Sequence, residues 1–265
     1  MSKFLDCKTK GGVATLTMNR PDVRNAISGN TASDEIVTAC ERISKDATLR
    51  VVIITGVDPA FSSGGNVKAM RGEWKDKKEG AAIRQQLRTG VQRLTLALYE
   101  LETPTIAAVN GPAIGGGCDL ACMCDIRIAS DKAVFAANFV KVGIVPALGG
   151  AWLLPRLVGM SYAAELCFTG DMLDANQALA CGLVSRVVPH ATLMDEVNAL
   201  AARIASNPGQ TLRMTKRLLR DGQNSSLASN LEMAAGFQAL AHHTRHHEIA
   251  VQAFEDKRKP VFNDD

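Results

Sequence analysis

The sequence has little excess charge, no long apolar run and no secretory cysteine pattern, and each absence removes a class of function. Lys and Arg number 30 against 27 Asp and Glu, leaving a formal net charge of +3. That is too little to point to nucleic acid or a membrane surface as the main partner, although a few placed cations suffice for a phosphorylated ligand. The opening residues, Met1 to Cys7, contain no apolar core of the kind a signal peptide carries. The least polar stretches, Pro104 to Cys118 and Val142 to Pro155, are glycine-rich and shorter than the roughly 20 residues a spanning helix requires. A cytoplasmic protein with no membrane partner is expected. The cysteines number 7, an odd set without secretory context, so no disulfide framework is expected. Cys118, Cys122 and Cys124 match no metal-ligand spacing and read as small buried packing residues.

What is present suits an ordinary globular chain: 265 residues, 46% hydrophobic and 22% charged, enough to bury a full core. Val13 to Met18 alternates, with Ala14, Leu16 and Met18 on one face of a strand. Ile36, Val37, Cys40 and Ile43 place a helix between Thr31 and Asp46. The β-branched run Val51 to Ile54, ended by Gly56, predicts a strand buried on both faces. Arg71 to Glu79 is charged and aperiodic, a surface loop. Ile83, Leu87, Val91, Leu94, Leu98 and Leu101 then recur at helical steps and predict one long amphipathic helix. Further strands are expected at Thr105–Val109, Ile126–Ile128, Val134–Phe135 and Leu183–Val188. From Met194 the pattern is helical. This order predicts an α/β core over residues 1–195 and a helical C-terminal region over 196–265.

Two segments share one plan. Val51 to Gly65 and Thr105 to Gly116 each run from a buried strand through a glycine-containing loop to glycines that open a helix. A helix N-terminus offers unpaired N–H groups and the positive end of the helix dipole, and glycine lets a ligand approach that backbone. Two such turns converging would form an oxyanion hole for a carbonyl oxygen gaining charge. Tight strand-to-helix packing alone would require the same glycines. Known nucleotide motifs fail: Gly111 to Gly117 has neither the Lys-Ser/Thr of a P-loop nor the dinucleotide spacing, and Ser62-Ser63-Gly64-Gly65 is not a nucleophile elbow.

At these residues the chain resembles the crotonase (enoyl-CoA hydratase/isomerase) superfamily. The resemblance is carried by Asn19-Arg20-Pro21 with Arg24-Asn25-Ala26, by Ala60 to Lys68, by Ala108 to Leu120, by Gly143-Ile144-Val145-Pro146 with Gly149-Gly150, and by later segments in order. It implies ββα turns wound into a superhelix, C-terminal helices that assemble a homotrimer or homohexamer, and an acyl-CoA substrate with no separate cofactor and no metal. By motif position it places the oxyanion donors on the N–H groups of Gly65 and Gly116. Ser63, Gly65 and Val67 would line the CoA path, and Arg24 would stand near its phosphates. Lys257 and Lys259 would reach those phosphates from the same or a neighbouring subunit, or else mark a solvated helix end.

The pattern breaks at the acids. Hydratases of this family use two glutamates; here the first position holds Asp119 and the second falls on Phe139, which cannot transfer a proton. Asp119 is therefore the candidate general acid or base, with helix capping as its alternative reading. Asn138 is a candidate for orienting water. The position near which dehalogenases of the superfamily carry a nucleophilic aspartate holds Ala147, which disfavours that chemistry. His242, His243, His246 and His247 have metal-capable spacing but no H-E-x-x-H motif, and read as a surface or interface face. His190, beside Pro189, reads as a helix-start residue. Trp74, in the charged loop, would touch substrate or stand exposed. The expected activity is that of an enoyl-CoA hydratase-like lyase, with a double-bond isomerase or a non-catalytic acyl-CoA-binding protein as alternatives.

Overall fold

The computed structural model describes residues 3–67 and 79–262. The expected charged loop, apart from Glu79, and Trp74 therefore lie outside the described residues, as does most of the helix expected after Gly65; Val67 is its first helical residue.

The chain opens with a hairpin, β1 (Leu5–Lys10) and β2 (Val13–Met18), joined at Gly11 and Gly12, both at positive φ. Helix α1 (Ala32–Lys45) returns to β3 (Val51–Gly56). The Glu35 carboxylate of α1 accepts from the Phe4 and Leu5 amides at 2.9 to 3.1 Å, tying the hairpin's start to the helix. The apolar run expected to form one long helix is two, α2 (Gly80–Thr89) and α3 (Val91–Tyr99). They break at Gly90, whose φ of −109° and ψ of −110° no helix contains; only glycine adopts that pair of angles without cost. Then follow β4 (Thr105–Val109), β5 (Ala113–Ile114), α4 (Gly116–Met123), β6 (Ile126–Ser130) and β7 (Val134–Ala136). Next come α5 (Gly150–Val158), α6 (Met160–Thr169), β8 (Met172–Asp174), α7 (Ala175–Ala180) and β9 (Arg186–Val188), shorter than the strand expected from Leu183. The helices α8 (Leu193–Ala205), α9 (Gly209–Asp221), α10 (Leu227–His242) and α11 (Arg245–Glu255) complete the chain.

The main sheet has the order β1-β2-β3-β4-β6-β9, parallel from β2 onward; β5, β7 and β8 form a second sheet. Strand β3 is buried on both faces, as its β-branched run predicts. Val52 and Ile54 join the core beneath α1, α3 and α4, while Val51 and Ile53 face Leu193, Val197, Ala201 and Ala205 of α8. Residue 195 thus falls inside a helix that covers the sheet, and the helices standing off the sheet begin with α9. That helix is fastened by buried charge: Lys216 Nζ and Arg220 Nη2 reach opposite oxygens of Asp125 at 2.8 and 2.6 Å. Because β3 and β4 run parallel, the loops leaving their C-terminal ends emerge side by side, and these are the loops that carry the two glycine turns.

Candidate active site

The two loops are bonded to each other before they reach their glycines. Ser62 and Ala113 form a parallel bridge, with Ser62 N–H donating to Pro112 O at 3.1 Å and Ile114 N–H to Ser62 O at 3.0 Å. Ser62 Oγ, fully buried, donates to Asn25 O at 2.8 Å, and Ser63 is held from the other side through Arg24 O and Val23 O. Gly64 (φ +73°) then passes so near the second turn that an added Cβ would lie 2.6 Å from Gly116 N and 2.9 Å from Gly117 N. Close approach of two backbones is what glycine uniquely permits here. Gly65 follows directly, and Gly116 is the first residue of α4. Neither the Gly65 nor the Gly116 amide has an intramolecular hydrogen-bond partner among the described residues. An unpaired N–H group, above all one at a helix N-terminus, is free to stabilise a negative charge.

Apolar side chains wall this pair. A Cβ placed on Gly116 would stand 3.2 Å from Leu148 Cδ2 and 3.5 Å from Ile27 Cδ1. On the far side of the turn, one placed on Gly115 would stand 3.4 Å from Asn138 Oδ1 and 3.7 Å from the Phe139 ring. Phe139 therefore borders the second turn, as its sequence position requires, and presents a ring there. Leu148 is set by α3: Gln92 Nε2 donates to Ala147 O and Thr95 Oγ1 to Leu148 O, both at 3.0 Å.

Asp119, on the first turn of α4, is 2% exposed. The helix has no side-chain cap, so the carboxylate is not spent on capping. It abuts Gly150, the first residue of α5, where any Cβ would overlap it. Burial pushes its pKa up to about 7, against a weaker downward pull from the Gly150 amide. Its Oδ2 is buried with no hydrogen-bond partner, a costly condition for a carboxylate unless the oxygen serves a ligand or a proton. Among the described residues no other carboxylate contributes to its shift.

The remaining expected residues divide. Arg24, exposed and in the left-handed region at φ 51°, and Val67, 55% exposed, flank the first turn beside Ser63. Lys257 and Lys259 lie elsewhere in this chain: Phe262, three residues after Lys259, accepts from Arg50 Nη2 at 2.7 Å. Arg50 precedes β3, at the end of the strand away from the glycine turns. With about 3.3 Å per residue along that six-residue strand, the separation is about 20 Å. Ile27, Leu148 and the contact of Gly150 with Asp119 were not singled out in the sequence. Gly149-Gly150 gave a signal as a pair, whereas Leu148 and Ile27 gave none.

A cavity of about 450 Å³ lies between α9 and the core, bordered by Tyr99, Cys122, Trp152, Arg127, Lys216 and Arg220. Lys216 and Arg220 are engaged by Asp125, and Arg127 by the carbonyls of Leu183 and Cys124; these charges hold the C-terminal helices. Among the described residues no group of three His, Cys, Asp or Glu is placed to hold a metal ion, and no helix is long and apolar enough to cross a membrane.

Comparison with known proteins supplies the wider setting. The family profile described as Enoyl-CoA hydratase/isomerase matches residues 8–265. The crotonyl-CoA hydratase of Syntrophomonas wolfei is 36% identical over 252 residues, covering 94% of both chains. The enoyl-CoA isomerase/hydratase of Mycosarcoma maydis is 36% identical over 262 residues, covering 95% of this chain and 92% of that protein. The crystal structure of enoyl-CoA hydratase from Bacillus anthracis superposes with a TM-score of 0.91 at 30% identity, covering 98% of this chain and 99% of that one.

Proposed function

Since the chain belongs to the enoyl-CoA hydratase/isomerase family, with the crotonase fold and as an enzyme, we propose that it is a hydro-lyase acting on an enoyl-CoA thioester. The observation that carries this reading is the pair of unpartnered amides, Gly65 and Gly116, beside a buried carboxylate. The thioester oxygen accepts from both amides. Water adds at C3 while the ionised Asp119 takes one of its protons, the electron pair moves onto the thioester oxygen as an enolate, and Asp119 returns a proton to C2. The net change is H and OH added across the double bond. One carboxylate serves both transfers, because Phe139 replaces the second acid. Losing one amide donor of such a pair costs about 2.7–4 kcal/mol in comparable sites.

Ser63, Gly65 and Val67 line the CoA path and Arg24 meets its phosphates. Lys259, near the segment anchored to Arg50, serves that role from the same or a neighbouring subunit. A homotrimer or homohexamer is in keeping with Leu227, Leu231 and Phe254, which are 76%, 58% and 85% exposed on the C-terminal helices.

A second reading is favoured by one observation. Asp119 has no carboxylate partner among the described residues, and moving a proton between C4 and C2 needs only one base, so a double-bond isomerase uses the same site. A panel of 2-enoyl and 3-enoyl CoA thioesters, with products identified by mass spectrometry on wild type and Asp119→Asn, tests both. Hydration of 2-enoyl substrates lost in Asp119→Asn is the expected result. Full activity in the variant removes Asp119 from the mechanism. Tight acyl-CoA binding with no turnover across the panel replaces the enzyme reading with a binding protein.

A further inference from the structure

The loops that carry the two amides share a root, and a polar cluster closes it. Asn110, directly after β4, is 7% exposed and sits at the cluster's centre. Its Nδ2 donates to Asp58 Oδ1 at 2.8 Å and its Oδ1 accepts from Gly56 N at 3.3 Å, so one side chain spans the exits of β3 and β4. Its carbonyl oxygen accepts from Ser130 Oγ at 3.0 Å and stands 3.0 Å from His190 Nδ1. A carbonyl only accepts, so Nδ1 carries the proton in that bond. The other ring nitrogen, Nε2, is 3.1 Å from Asp58 Oδ2. His190 itself is fixed by its amide, which donates to Asp131 Oδ1 at 2.9 Å. The ring thus bridges Asp58, on the first loop, to Asn110, on the second.

Below the bridge the loops touch directly. A Cβ on Gly111 would lie 2.6 Å from Pro59 O. Beyond that point runs the Ser62–Ala113 ladder, and then Gly64 against Gly116. Each loop has five residues between its contact with the cluster and its glycine turn: Asp58 to Gly64, and Asn110 to Gly116. A shift at the root is therefore transmitted to the spacing of the two amides.

We propose that His190 and Asp58 form a latch across Asn110 that holds the two oxyanion loops in register, making both of them positioning residues for binding of the thioester oxygen. This rests on the reading of Gly65 and Gly116 as the donor pair. Neither residue belongs to a glycine turn, so their removal acts on the transition state through geometry. A misplacement of about 1 Å costs about a hundredfold in rate, and a partial loosening correspondingly less.

The test uses the full-length protein and three variants, His190→Ala, Asp58→Ala and Asp58→Asn. Asn110 O keeps its Ser130 bond in all of them, and Asp58 is 61% exposed, so the Asp58 variants fold even if His190→Ala does not. With crotonyl-CoA, His190→Ala and Asp58→Ala are expected to lower kcat by about tenfold or more, with KM changed by less than about twofold. The double variant should lose little beyond either single one, because the two residues act as one unit. Asp58→Asn, which still accepts from Asn110 and can donate to His190, should recover most of the loss seen in Asp58→Ala. Acetoacetyl-CoA provides a readout independent of turnover, since its enolate absorbs in the near ultraviolet and is favoured between two aligned donors. Wild type should show the band and both Ala variants should weaken it. A full band and unchanged kcat in Asp58→Ala overturn the latch while leaving the donor pair standing. Acetoacetyl-CoA bound to wild type without the band overturns the donor pair, and the latch with it.

Discussion

Replacing Asp119 by Asn should abolish activity and yet stabilise the protein, with a sign that depends on pH. Burial raises the Asp119 pKa from its ordinary 3.8 to about 7. Below pH 3.8 the group is protonated in both folded and unfolded chains and costs nothing. As pH rises the unfolded chain ionises first, so folded stability falls until the folded carboxyl also ionises near pH 7, and then levels off. A displacement of about three pH units, at about 1.4 kcal/mol each, amounts to about 4 kcal/mol. Asparagine removes that loss but puts an amide NH2 at the Oδ2 position, which has no hydrogen-bond partner, at about 1–3 kcal/mol. The variant should therefore be the less stable protein at pH 4 and the more stable one at pH 8, by about 1–3 kcal/mol, or a few degrees in Tm for a chain of this length. Thermal denaturation of both proteins across that range measures it. A Tm difference that stays constant with pH would falsify the elevated pKa and, with it, the dry environment assigned to the carboxylate. In the wild type, kcat/KM should rise tenfold per pH unit up to about 7 and then plateau, because the base must be ionised to take a proton.

Other outcomes follow from contacts already described. Gly64→Ala should lower kcat by about 10²–10³, since its Cβ would press 2.6 Å from the Gly116 nitrogen and disturb both donors; steady-state kinetics with crotonyl-CoA decide it. Phe139→Glu, placing a second carboxylate beside Gly115, should raise the ratio of hydration to isomerisation products, and an unchanged ratio means that position does not face the acyl group. Asp125→Ala should destabilise the fold by about 3–5 kcal/mol, because Lys216 and Arg220 are left as buried unpaired cations. Burial raises the Asp125 pKa, but Lys216 and Arg220 outweigh it and hold the group below its ordinary value. The wild-type pair is thus retained above pH 4 and lost on further acidification, and urea titration at pH 7 and pH 3 reads both effects.

Much of this architecture is written in short-range pattern. The β-branched run of β3 and the strand–glycine–helix plan identify both turns, because a backbone approaching another backbone needs glycine wherever the fold brings them together. Strand β1 has only the turn signal Gly11-Gly12 to mark it; Cys7 to Lys10 is largely exposed and lacks alternation, so the strand comes from pairing with β2. The break at Gly90 was hidden for the opposite reason, since Ile83 to Leu101 keeps helical spacing on both sides of it. A mostly apolar pocket that raises the pKa of Asp119 is what the residues around the second glycine turn suggest, and burial does raise it; the contact that closes the pocket is not legible. It is made by Gly150, 31 residues later, which only the folded chain brings against the carboxylate.

A hole made of main-chain amides cannot be deleted by exchanging the side chains around it. Leu148 borders Gly116, and Asn138 and Phe139 border Gly115, but none of them supplies the bonds between Ser62 and Ala113 that bring the loops together. The grip on the thioester is in this way separated from the choice of which proton moves, so the identity of the reaction can be rewritten at a few lining positions while the anchoring of the substrate is inherited unchanged.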